Sequence, residues 1–125
     1  MSSQISLVVK DLAEAVLFYQ KAFGFGLVKQ SARSAVLRYQ DMRFHFCTDD
    51  YMQGRHDYSA ESPVVSGMSP PIVFSLFHEQ VHEQLHRAIG AGARVVQSLR
   101  QDEDGHYQVL LQGPERYFWL ITDRT

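Results

Sequence analysis

Apolar residues along the chain change period, and each change marks an element. Ile5, Leu7 and Val9 form one phase against Gln4, Ser6 and Val8, the alternation of a strand with one apolar face. From Leu12 the period lengthens. Leu12, Ala15, Val16, Tyr19 and Phe23 recur at helical spacing, with Asp11 as N-cap and Glu14 three residues on. Gly24 sits where a left-handed residue ends a helix. Leu27 to Gln30, Ala35 to Tyr39 and Arg43 to Cys47 return to strand-like alternation, with turn residues at Ser31–Ser34 and Gln40–Asp41.

Residues 49–71 keep no period. They hold Gly54, Pro63, Gly67, Pro70 and Pro71 among many serines, and read as a long loop or linker. Tyr51, Arg55, His56 and Tyr58 are the residues it would bring over a pocket if it folds back. Beyond it the opening pattern repeats. Ile72 to Phe77 predicts a strand, and Glu79 to Ala91 a helix with Val81, Leu85, Ala88 and Ile89 on its apolar face. Arg94 to Leu99, Tyr107 to Gln112 and Tyr117 to Thr122 predict three further strands.

The order βαβββ thus occurs twice, in residues 1–48 and 72–125, joined by 49–71 within one domain of residues 1–125. Each half leaves one sheet face without a helix. The expected class is α+β: two βαβββ modules whose curved mixed sheets surround a shared concavity.

Composition narrows the function. Hydrophobic residues make up 45% of the chain and aromatics 12%, enough for a packed core. A net charge of -2 with interspersed signs lacks the footprint of a nucleic-acid binder. No apolar run reaches the roughly 18 residues of a membrane helix, and the N-terminus is not a signal peptide. The single cysteine, Cys47, allows no internal disulfide and fits a cytoplasmic location.

One motif points elsewhere. "HEQVHEQLH" matches His-Glu-x-x-His twice, through His78, Glu79 and His82 and through His82, Glu83 and His86, the pattern of zinc hydrolases. The apolar stripe of the same helix turns these histidines to its flank. The acidic run Asp102-Glu103-Asp104, a conceivable further ligand, falls in a hairpin. A solvated His/Glu face with incidental zinc or nickel binding is the expectation.

The strand ending Val9-Lys10-Asp11, followed by "AVLFYQKAFGF", resembles the start of vicinal oxygen chelate proteins, a superfamily with glyoxalase I, bleomycin-resistance proteins and extradiol dioxygenases. "HRAIGAGARVV" resembles the helix-to-strand junction of its small glyoxalase-like members. "GPERYFWLITD" is similar to their Asp-Pro-x-Gly turn and last strand. The resemblance implies a site of four positions, on the first and last strand of each half, where catalytic members place His, Gln or Glu around a divalent metal. Carried across, the first position falls on Gln4 and the second on His45. The third falls near Pro71 or Ile72, and the fourth on Leu120 or, one residue along, Ile121. The filled half would suit zinc, nickel, iron or manganese as a Lewis acid, and the acid usual at the fourth position is missing. The resemblance also implies a homodimer.

Alternation assigns a lining to the concavity. Val8, Arg38, Arg43, His45 and Cys47 come from the first half, and Phe118 and Leu120 from the second, with Trp119 replacing Phe118 if the register slips. Such a lining, apolar and aromatic with few polar groups, suits a small molecule. Arg38 or Arg43 would meet an anionic group. The expected function is non-catalytic binding of a small aromatic or planar molecule such as an antibiotic. The alternative is a metal-dependent lyase, isomerase or dioxygenase built on Gln4 and His45.

Overall fold

A computed structural model describes residues 4–48 and 72–124. The order within the first part is β1 (Ile5–Val9), α1 (Leu12–Phe23), β2 (Gly26–Gln30), β3 (Ser34–Tyr39) and β4 (Met42–Thr48). The second part repeats it with β5 (Phe74–Phe77), α2 (Val81–Gly90), β6 (Arg94–Gln101), β7 (Tyr107–Gln112) and β8 (Phe118–Thr122). A short 3-10 turn, Pro114–Arg116, precedes β8. The strands form two four-stranded mixed sheets, ordered β1-β4-β3-β2 and β5-β8-β7-β6. In each, the first strand runs parallel to the last and the other pairs are antiparallel. The fold is the α+β class expected from the pattern, with the βαβββ order present twice.

By internal contacts the chain divides into two compact units. Of the described residues, one comprises 4–20 and 24–48, the other 21–23 and 72–124. The expected linker, with Tyr51, Arg55, His56 and Tyr58, and the third metal position at Pro71 lie outside the described residues.

In the first unit, α1 begins where Asp11 accepts a hydrogen bond from the Glu14 backbone N–H at 3.0 Å, as the capping spacing predicts. It ends at Gly24, whose φ of 73° lets its N–H and that of Phe25 turn back onto the Gln20 and Tyr19 carbonyls. The predicted stripe is buried throughout. Tyr19 stacks on Phe46 (4.8 Å between centroids) and Phe25 on Phe44 (5.2 Å), so Phe44 and Phe46 mark the helix side of the sheet.

In the second unit, α2 is shorter than predicted and rotated from the predicted stripe. It starts at Val81 because the Gln80 N–H donates to Nδ1 of His78, at 3.0 Å, in a non-helical turn. Val81, Gln84 and Ala88 point inward, at i, i+3 and i+7, while Leu85 is half-buried and Ile89 is 49% exposed. Gln84 therefore takes a core position that an apolar residue would be expected to fill. Its amide donates to the Ala22 carbonyl, near the C-terminal end of α1, and its Oε1 is buried without a hydrogen-bond partner among the described residues. Trp119 fills the centre of this unit against Phe74 and Phe23, at 4.9 and 5.6 Å between ring centroids. β5 begins at Phe74, not at Ile72, because pairing with β8 starts there; Ile72 is 63% exposed.

Candidate ligand-binding site

Each sheet has a second face, turned away from its helix, and register decides what stands on it. In the first sheet Ser6 lies beside His45, which lies beside Val36, which lies beside Lys29. One row along, Val8, Cys47 and Ser34 align; one row back, Arg43 faces Arg38, which faces Gly26. Gln4 precedes the first paired residue of β1, and its alternation with Ser6 and Val8 puts it on this face. The structure thus gathers Gln4, Val8, Arg38, Arg43, His45 and Cys47 on one side of one sheet. Arg38 is exposed and Arg43 and His45 are half-buried. Cys47 is fully buried, its thiol donating to the Leu7 carbonyl at 3.7 Å. A thiol so enclosed offers no surface to a ligand and packs as a small hydrophobe.

A depression of about 210 Å³ opens on the same side toward the β2–β3 hairpin, lined by Lys29, Gln30, Ser31, Ser34 and Val36. Sequence reading passed over Lys29. Simple alternation would turn it toward the helix, but β2 carries a bulge: Leu27 pairs with Leu37, and Lys29, not Val28, pairs with Val36. The extra residue re-aims Lys29 onto the face of His45. No local sequence signal marks that shift.

In the second sheet Ser75, Leu120 and Leu110 align, and Phe118 stands beside Gln112. Phe118 and Leu120 are half-buried on the side away from α2. Trp119 has the opposite phase and no exposed surface, so the register is the one that presents Phe118 and leaves Trp119 in the core.

The two sheets share one register, which aligns their positions residue by residue. Ile5 pairs with Phe44 as Phe74 pairs with Trp119, so Ser6 corresponds to Ser75 and His45 to Leu120. By the same count Gln4 corresponds to Val73. At the places corresponding to Gln4 and His45 the second sheet thus carries Val73 and Leu120, while the side chain of Ile121 points into the core. Valine and leucine have no donor atom, so a four-ligand metal centre does not fit this set. Among the described residues no group of three His, Cys, Asp or Glu side chains converges.

That holds for the His-Glu-x-x-His repeat too. His78 lies outside α2 with its Nδ1 already accepting a hydrogen bond. His82 and His86 are exposed on the helix flank, and the His82 ring packs edge-on against Tyr107 at 4.8 Å. Asp102 and Asp104 are tied to Arg124 at the β6–β7 hairpin.

Comparison with known proteins agrees with this architecture. The family model described as the Glyoxalase/Bleomycin resistance protein/Dioxygenase superfamily matches residues 2–121. A family enzyme from Burkholderia phytofirmans PsJN superimposes with a TM-score of 0.76 at 23% identity, covering 96% of this chain and 95% of its own. A lactoylglutathione lyase from Agrobacterium tumefaciens gives 0.70 at 15% identity, covering 98% and 92%. A fosfomycin resistance protein from Listeria monocytogenes, determined with Mn(II) and dihydroxypropylphosphonic acid, gives 0.71 at 16% identity, covering 100% and 90%. A search of curated proteins finds no match to the sequence. At these identities the structures speak for the fold alone.

Proposed function

Because the chain belongs to the glyoxalase/bleomycin resistance protein/dioxygenase superfamily, we propose that it binds a small aromatic or planar molecule, an antibiotic among the candidates, without metal-dependent catalysis. The observation that carries this reading is the pairing of Gln4 and His45 with Val73 and Leu120 at corresponding positions of the two sheets. Two apolar positions remove the charged ligand that would hold a divalent ion and polarise a substrate oxygen. The same substitution leaves the second sheet apolar beside Phe118, while on the first sheet the face of Val8, Arg38, Arg43 and His45 suits a ring bearing a few polar groups.

The ligands we expect are planar aromatics, and the protein is expected to act as a cytoplasmic homodimer. Its lone buried thiol, Cys47, fits a reducing compartment, and among the described residues no helix is long and apolar enough to cross a membrane. The second reading, a metal-dependent lyase, isomerase or dioxygenase, draws on Gln4 and His45 sharing one face.

Three measurements separate these readings. Thermal-shift screening against aromatic compounds, antibiotics included, should find molecules that raise the melting temperature, since a ligand held only by the native state stabilises it. Trp119 is buried, so its fluorescence follows unfolding, and the melting curve is the better readout. Metal analysis of untagged protein should find no stoichiometric ion. One tightly held equivalent of zinc, nickel, iron or manganese, lost on His45→Ala, would establish the enzymatic reading instead. Sedimentation should give twice the 14.3 kDa of the chain; a monomer at micromolar concentration would remove the dimer.

A further inference from the structure

The helix-free face of the first sheet carries a charge arrangement that folding alone does not favour. Arg38 and Arg43 stand directly opposite each other on β3 and β4. Like charges in that relation destabilise a strand pair, and a carboxylate nearby would be the usual remedy. None stands among the described residues of this face, whose only charged side chains besides the two arginines and His45 are cationic. Neither guanidinium group has an ion-pair or hydrogen-bond partner among the described residues. The β2 bulge adds a third cation, Lys29, to the next row. Beside Arg38, Gly26 contributes no side chain, and a Cβ there would meet only the Arg38 carbonyl at 3.9 Å, so the row ends in open space.

We propose that this face binds the oxyanion of the ligand, a carboxylate or phosphate group, between the guanidinium groups of Arg38 and Arg43. The ligand's apolar body lies toward the Val36 floor of the neighbouring depression, with Lys29 at its rim. This rests on the small-molecule reading above and sets its chemical class: an anionic aromatic compound, not a neutral or cationic one. Guanidinium groups suit the task because their planar fork matches two oxygens of one anion. Successive same-face residues of a strand are about 7 Å apart, so an anion at Arg38 leaves a ring-sized body within reach of Val36.

The test is a two-dimensional NMR titration of the full chain with benzoate, phenyl phosphate and benzyl alcohol, which share a ring and differ in charge. Both anions should shift the backbone amides of Val36, Arg38 and Arg43, and the neutral alcohol should bind at least roughly tenfold more weakly. Arg38→Gln and Arg43→Gln should each weaken anion binding roughly tenfold. Arg87→Gln, exposed on α2, should leave it unchanged. Because the two arginines repel, either variant should melt at or above the parent temperature, which separates lost binding from lost folding. Equal binding of alcohol and anions, or anion binding that survives both variants, would overturn the oxyanion site and leave the small-molecule reading standing. If none of the three compounds shifts this face while the thermal screen still finds neutral ligands, the oxyanion site fails alone. If that screen also finds nothing, both fail.

Discussion

At Arg116 the backbone turns through φ 67°, and Glu115 before it through φ 65°. Both lie in the left-handed region that L residues with a side chain avoid at a cost of about 1–2 kcal/mol. The resemblance to an Asp-Pro-x-Gly turn implies a glycine at the place of Arg116, the last residue of the 3-10 turn before β8, where a side chain adds strain. Arg116→Gly should therefore raise the free energy of unfolding by about 1 kcal/mol, read from urea titrations, after the added entropy of the unfolded glycine is subtracted. An unchanged or lower value would mean that contacts of the Arg116 side chain repay the strain. Nothing in Gly113-Pro114-Glu115-Arg116 states the dihedral angles. The substitution becomes visible as strain only through the turn geometry. Gln84 is a similar case. Helical spacing marks neighbouring Val81 and Ala88 as core, yet a buried glutamine is legible only once its amide is seen to reach the Ala22 carbonyl.

Between elements, register did most of the work. Alternation alone sorts Phe44 and Phe46 from His45, and the structure keeps them on opposite faces. It could not sort Phe118 from Trp119, because the run Tyr117-Phe118-Trp119-Leu120-Ile121 is apolar in both phases. Pairing of Trp119 with Leu111 and Phe74, all on the α2 side, decides it. The β6–β7 hairpin shows how charge closes an element. Asp102 accepts the backbone N–H groups of Asp104 and His106, at 2.9 and 3.0 Å, and lies 3.3 Å from Nε of Arg124. Partial burial pushes its carboxyl up. The two backbone donors and the charges of Arg124 and His106 outweigh that, and hold it below the ordinary 3.8. A depressed carboxyl stabilises the fold above its unfolded value and loses that contribution as pH falls through the folded value. The stability difference between the parent and Asp102→Asn should therefore be full at about pH 6 and vanish toward about pH 2, measured by urea midpoints across that range. A difference independent of pH would show that Asp102 acts by geometry and not by charge.

For the molecule as a whole, the repeat is the governing fact. Shared registers pair Leu37, opposite Phe44, with Leu111, opposite Trp119, and both leucines are fully buried in their own units. Leu37→Ala and Leu111→Ala should each cost about 2–5 kcal/mol, and the two costs should be similar, as measured by chemical denaturation. A large disparity would mean that the two cores, alike in pairing, differ in how far they collapse around a cavity. By itself, the sequence determined the α+β class, the βαβββ order of both halves and the phases of most strands. Those depend on local period, capping and turn chemistry, which a chain carries in its own residues. It also determined that Leu120 cannot ligate, since that follows from the side chain's atoms. Tertiary structure decided what depends on pairing between distant residues. It placed Arg38 against Arg43, turned Lys29 across a bulge to join them, put Trp119 in the core and made Val73 the counterpart of Gln4. A shift of one residue reverses every side chain of a strand, and only the partner strand sets that shift.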